Sequence, residues 1–258
     1  MARVLTTRTK IKIILITTIL TILLIISGIL IEFDPMAFIR GIPRGIEFFS
    51  YFLRPDFSYF EPILNKLIET LQIALIGTTV AAVISVIYSF FASQVTAPNY
   101  ITYFVARIIM NVLRTIPDIV LAAVFVAIFG IGALPGVLAL IFFSFGIMTK
   151  LMSEDIDAVD RGPIEAVKSV GATRTQVIGF AVVPQVTPNF ISYILYTFEV
   201  NVRVSIVLGL VGAGGIGQIL IENIRLFQYD KVSMIILVTF IAVIIIDGFS
   251  EYIRKRIL

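Results

Sequence analysis

Between two long apolar runs stands SEDIDAVDRGPIEAVKSVGATRTQ, Ser153 to Gln176. Asp160-Arg161-Gly162-Pro163 reads as a turn, with Pro163 at the first helical position, where its missing N–H loses no intrahelical bond. Glu165-Ala166-Val167-Lys168-Ser169-Val170 then forms a helix of less than two turns, and Gly171 supplies the left-handed residue at which such a helix ends. Thr173-Arg174-Thr175-Gln176 restarts a helix that enters the next apolar run. A short polar helix held by a glycine corner across the face of a membrane bundle suits a groove on a partner and can carry that partner's movement. The plain alternative is a solvated loop.

The surrounding sequence confines this segment to a membrane protein. Of 258 residues, 59% are hydrophobic and 14% charged, against roughly 45–50% and about 25% in soluble domains. Mean hydropathy is +1.03, so a soluble fold is excluded. With no Cys and no His, thiolate and imidazole metal sites, disulfides, a cysteine nucleophile and a histidine base are all out of reach. The net charge of +3 is small and its basic residues are scattered, a pattern of membrane topology rather than of nucleic-acid binding.

Crossing a hydrocarbon core of about 30 Å takes about 20 mostly apolar residues, and the runs and their breakers predict six spans, at 13–31, 66–92, 100–129, 136–152, 176–208 and 232–250. The first follows a basic leader of Arg3, Arg8, Lys10 and Lys12; its unbroken length and the lack of an Ala-x-Ala site predict a retained helix rather than a signal peptide. Ser93, Gln94, Thr96, Pro98 and Asn99 separate the second from the third, and Gly130, Gly132, Pro135 and Gly136 the third from the fourth. Pro184 and Pro188 are expected to kink the fifth.

With the N-terminus inside, the inner segments carry Arg3, Arg8, Lys10, Lys12, Lys150, Arg161, Lys168, Arg174, Arg254, Lys255 and Arg256. The outer ones carry Arg40, Arg44, Arg54, Lys66, Arg225 and Lys231, so the positive-inside bias puts both termini in the cytoplasm. The outer loop from Glu32 to Asn65, rich in Pro, Phe and Tyr, reads as an interfacial or partner-facing segment. With the first span it makes an N-terminal region, 1–65, ahead of a five-helix core, 66–258.

Glu165-Ala166, Gly171-Ala172 and Pro184 resemble the Glu-Ala-Ala loop of ATP-binding-cassette importer permeases, with Val167 in the third position. Arg114-Thr115-Ile116-Pro117-Asp118, Val183 to Pro188, TFEVNVRVSIVLGLVGAGGIGQ from Thr197 to Gln218, and Ile224 to Tyr229 resemble the phosphonate and phosphite branch of that family. The resemblance runs from about Leu67 to the C-terminus; none is claimed for residues 1–60. It implies an all-α, type I importer permease fold in a prokaryotic inner or plasma membrane, with Pro163, Glu165, Ala166, Gly171 and Ala172 meeting an ATPase.

Gly212-x-Gly214-x-x-Gly217 matches the dinucleotide fingerprint in letters, but that fingerprint needs a strand before it and a helix after it in a soluble βαβ unit. Here Gly212, Gly214, Gly215 and Gly217 follow a membrane run and suit close helix approach or, with Pro184 and Pro188, a gate or hinge. No P-loop occurs, so the motor is a separate subunit. Charges within a bilayer cost about 2.5–3.5 kcal/mol each and turn toward the bundle or a wet path. Glu199 with Arg203, and Arg114 with Asp118, stand four apart and form either structural salt bridges or, with Asn201 beside them, a positive route for an anion. Arg107 precedes Arg114 by two turns on the same face, and Asp247 has no assignable partner.

These readings converge on a permease importing phosphonate, phosphite or a related oxyanion by alternating access, with no catalytic residue, cofactor or metal of its own. The resemblance implies a second permease chain, identical or paired, two cytoplasmic ATP-binding subunits, an extracytoplasmic substrate-binding protein, a surrounding lipid bilayer and no nucleic acid. A methionine or other amino-acid permease is the rival within the family; an ion-coupled secondary transporter is the rival outside it, though no inverted repeat is evident.

Overall fold

A computed structural model describes residues 7–51 and 53–257; Arg3 of the basic leader lies outside the described residues. Every regular element among them is helical. The chain divides into two compact units after Ser50. The first holds α1, Thr7–Leu30, and most of α2, Pro35–Tyr51. Beyond Lys12 α1 carries no charge, and it is long and apolar enough to cross a membrane.

The second unit comprises α3 (Phe60–Ala92), α4 (Tyr100–Thr115), α5 (Asp118–Phe129), α6 (Ala133–Asp157), α7 (Arg161–Ser169), α8 (Arg174–Val177), α9 (Val183–Gly209), α10 (Gly215–Arg225) and α11 (Tyr229–Ile257). α3 and α6 form its most extensively packed pair. Both bury a stripe of small residues: Ala74, Gly77, Thr78, Ala81 and Ser85 on one, Gly136, Ala139, Ser144 and Gly146 on the other. Lipid tails are as apolar as leucine, so close backbone approach rather than hydrophobicity holds such helices together. Gly77 illustrates the constraint, because a Cβ there would stand 2.7 Å from Leu140 Cβ.

Three apolar clusters follow one another along this unit. Met148, Met152, Ile156, Ile164, Val177 and Val182 pack at one end, where α7 lies. Ile73, Ala74, Ala139, Leu140, Val202 and Leu208 fill the middle. Ile63, Ile216, Ile219, Met234 and Ile235 close the other end.

Five described helices or helix runs are long and apolar enough to cross a membrane, and α4 with α5 makes a sixth if counted together. The structure corrects the expectation of one continuous span over 100–129, since α4 and α5 meet at 84°. Pro117 has no N–H to continue α4 and pushes Ile116 into the extended region, φ −81° and ψ 122°, which ends the helix there. The fifth span is interrupted ahead of its prolines. A wide π-turn over Ile178–Val182 precedes α9, leaving Pro184 in its first turn and Pro188 inside it. α10, an eleven-residue helix that starts at Gly215, has no counterpart among the six expected spans.

A candidate coupling face and an intramembrane ion cluster

The short helix expected between the fourth and fifth spans exists as α7, beginning two residues earlier than the proline suggested. Asp160 Oδ1 accepts a hydrogen bond from the Gly162 N–H at 3.0 Å, and Pro163 becomes the third helical residue, still among the positions whose N–H would find no intrahelical partner. Gly171 adopts φ +79° and its N–H reaches Lys168 O at 3.0 Å, the left-handed corner its spacing predicted. Thr173 and Gln176 then cap α8 reciprocally.

α7 has one buried and one exposed face. Ile164, 6% exposed, belongs to the cluster of Met152, Ile156 and Val177, and Val167 and Ala172 pack against it. Pro163, Glu165, Ala166 and Gly171 are exposed. The residue that departs from the Glu-Ala-Ala pattern, Val167, therefore thickens the anchored face and leaves the outward face unchanged. A cavity of about 370 Å³ opens beside the helix, lined by Gln94, Asp157, Arg161, Glu165 and Lys168.

The base beneath α7 is a polar weld that the sequence did not disclose. Asp157 Oδ1 accepts from Ser93 Oγ at 2.6 Å and from the Gln94 N–H at 2.7 Å, while its Oδ2 meets Arg107 Nη2 at 2.8 Å. Arg107 also donates to Ala92 O at 3.0 Å and stacks over the Tyr103 ring. Arg174 donates to the carbonyls of Thr96 at 2.8 Å, Pro98 at 3.0 Å and Ala97. Gln185 Oε1 accepts from the Asp160 N–H at 3.0 Å. The 93–99 turn, the end of α6, α7 and the start of α9 are thus one connected plate. Its partners lie tens of residues apart, so no local spacing could reveal them.

The two predicted ion pairs fare differently. Glu199 and Arg203 do pair, at 2.6 Å. Arg203 also holds Asp247 at 3.0 Å and Arg254 holds Glu199 at 3.1 Å, so Asp247 has the partner that the sequence could not assign. The four charges sum to zero and tie α9 to α11. Arg114 and Asp118 are not paired: the break at Pro117 ends the helical spacing on which the pairing relied, and the Asp118 carboxylate caps its own neighbour's N–H at 2.8 Å. Arg107 points to Asp157 instead of joining Arg114. Arg114 is exposed, and its backbone packs on Gly146. Asn201 is fully buried, donating to Thr78 Oγ1 and Ser144 Oγ at 2.7 Å each, where it ties α3, α6 and α9 together.

At the opposite end from α7, Gly212, Gly214 and Gly215 have φ of +94°, +80° and +70°. They turn the chain so that α10 packs back on α9, with Gly209 and Gly217 at the crossing. The first N–H groups of α10 are received by α3: Gly215 N–H by Glu69 Oε1 at 3.0 Å and Ile216 N–H by Thr70 Oγ1 at 2.8 Å. Glu69 is itself held by Lys66 at 2.7 Å. This is helix-end capping supplied from another helix, and neither Glu69 nor Thr70 carried a local signal for it.

Comparison with known proteins bears on the family and the fold. Residues 89–258 match the family described as binding-protein-dependent transport system inner membrane component. The chain is 41% identical over 223 residues to the phosphite transport system permease protein PtxC of Stutzerimonas stutzeri, covering 86% of this chain and 81% of that one. It is 34% identical over 230 residues to the phosphate-import permease protein PhnE of Mycolicibacterium smegmatis, covering 89% of this chain and 43% of that one. Among solved structures, a chain of the inward-facing MetNI methionine ABC transporter superposes with a TM-score of 0.67 at 20% identity, over 79% of this chain and 99% of that one. A bacterial alginate ABC transporter chain gives 0.59 at 14% identity, over 95% and 97%.

Proposed function

The chain belongs to the family of binding-protein-dependent transport system inner membrane components, and from that premise we propose that it is the permease subunit of an ATP-driven importer of phosphite, phosphonate or a related phosphorus oxyanion. The protein is a multi-pass membrane protein with the type I importer permease fold. The relatives identical at a third or more over most of this chain carry phosphite and phosphate in their names. The methionine transporter likeness, at 20% identity, speaks for the fold alone, so the oxyanion reading is favoured over the amino-acid one.

The observation that carries the coupling role is the division of α7, with Ile164 and Val167 rooted in the bundle while Pro163, Glu165 and Ala166 face outward. A helix held that way acts as a handle. Two ATP-binding subunits closing beneath a pair of such permeases would pull on it, and the plate joined through Asp157 and Arg174 would pass the displacement to α4 and α9. That is two sites biasing one two-state element. An extracytoplasmic binding protein would deliver substrate at the end bearing the glycine corner, whose Gly212 to Gly217 serve as hinge or gate. Arg203, 44% exposed within this chain, and exposed Arg114 offer positive potential along the path, and Arg203 is balanced by carboxylates that keep an anion from binding too tightly to leave.

The test is uptake in membranes carrying the permease with its cognate subunits. Phosphite or phosphonate should accumulate with ATP and stop when ATP is removed while the ion gradient is kept; the permease should co-purify with an ATPase. Uptake that follows the gradient alone would overturn the reading.

A further inference from the structure

The segment between α1 and the core of the second unit has no role in the transport reading, yet it is highly ordered in pattern. α2 buries none of its residues. Phe38, Ile39, Ile42, Ile46 and Phe49 recur at spacings of three and four, which places them on one side of the helix, with Arg40, Arg44 and Glu47 on the other. Phe38 is 77%, Ile46 66% and Phe49 70% exposed.

The junction with α1 fixes where this helix begins. Glu32 takes φ +52°, its N–H reaches Ile29 O at 3.1 Å and the Phe33 N–H reaches Gly28 O at 2.9 Å. That pair of bonds ends a helix and turns the chain away from its axis. Asp34 Oδ1 then caps α2 through the Met36 N–H at 2.8 Å. Four residues, Ile31 to Asp34, can span at most about 14 Å, so α2 starts close to where α1 leaves the hydrocarbon. At 17 residues it is about 26 Å long, too short to cross back and too polar on one face to do so.

We propose that α2 lies flat in the headgroup layer of the bilayer, with Phe38, Ile39, Ile42, Ile46 and Phe49 in the acyl boundary and Arg40 and Arg44 toward anionic lipid phosphates. The occupant of its apolar face is lipid because the four-residue link keeps α2 next to the end of α1, a helix long and apolar enough to cross the bilayer, and an amphipathic helix held there meets the acyl boundary on its apolar side. On the polar face Arg40 pairs with Asp34 and Glu47 lies on the same side, so Arg44, which has no ion pair among the described residues, is the cation left to meet a lipid phosphate. The inference rests on α1 being a bilayer span and not on the identity of the transported ion.

The chain has no cysteine, so single-cysteine labels report one site each. Spin labels at Ile46→Cys and Arg44→Cys, in the whole transporter reconstituted in phosphatidylcholine vesicles with and without phosphatidylglycerol, are compared for access to oxygen and to a water-soluble nickel chelate. Oxygen should dominate at position 46 and nickel at position 44, with position 46 moving deeper when phosphatidylglycerol is present and that shift lost in Arg40→Gln/Arg44→Gln. Equal nickel access at both positions, or a label at 46 shielded from both reagents by protein, would overturn the proposal. The readout needs no transport, so a failure of the import reading would leave it standing.

Discussion

Arg203 Nη1 on α9 lies 3.0 Å from Asp247 Oδ2 on α11, and through Glu199 the same cluster extends to Arg254. Removing one member leaves opposite charges without their counter-ion in a low-dielectric surrounding, yet Arg203 keeps 44% of its side chain exposed. The loss in fold stability is therefore modest, about 1 kcal/mol. Arg203→Ala should lower anion uptake severalfold while assembly with the ATPase and the thermal midpoint in detergent change little. Unchanged uptake would reduce the cluster to a brace between α9 and α11.

The handle predicts a separation of assembly from fold. Gly171→Val forces a β-branched residue into φ +79°, a conformation such residues do not tolerate. The corner should open and α7 should leave its seat on Met152 and Ile156. ATPase co-purification should fall sharply with Gly171→Val and with Glu165→Arg, while circular dichroism retains full helix content. Wild-type complex yield and ATP-driven uptake in both variants would count against the docking face.

What the sequence disclosed and what it withheld divide along the range of the interactions. Span count, the Asp160 turn and the Gly171 corner are set by residues within a few positions of one another, and all were legible. The 84° break at Pro117 was equally local, but the apolar run on both sides concealed it. Asp157 with Arg107, Asp247 with Arg203, and Glu69 with α10 join residues dozens to more than a hundred positions apart. In the candidate site, the α7 helix and the turn and corner that bound it could be read in advance, whereas the contacts that root one of its faces in the bundle could not.

That plate gives the third expectation. Asp157→Ala strips partners from Ser93, the Gln94 N–H and Arg107 at once. Charge-assisted bonds of this kind contribute about 1.5–3 kcal/mol each where shielded, less here because the pair is about a quarter exposed. The variant should still bind the ATPase through α7 but hydrolyse ATP without matched uptake, and residues 93–99 should exchange amide hydrogens faster. Protection unchanged in that turn would mean that the weld carries no force.

Glycines in three different settings, Gly217 at the α9–α10 crossing, Gly130 at the end of α5 and Gly179 in the π-turn before α9, yield a graded series of outcomes. A Cβ on Gly217 would stand 1.9 Å from Ile206 O, with Gly209 Cα at 2.9 Å. Both are backbone atoms that cannot swing aside, so Gly217→Ala must pry α10 from α9 and expose the Glu69 and Thr70 caps. It should abolish accumulation of folded protein. Gly130→Ala meets nothing within 4 Å but must hold φ +85° with ψ 177°, a region kept essentially to glycine at a strain of about 1–3 kcal/mol, and should lower the thermal midpoint without abolishing folded protein. Gly179→Ala has open space and an ordinary φ, so its midpoint should match the parent or exceed it. Equal tolerance at all three sites, read by detergent-solubilised yield and thermal unfolding, would show that α9 and α10 do not approach each other as closely as the structure places them.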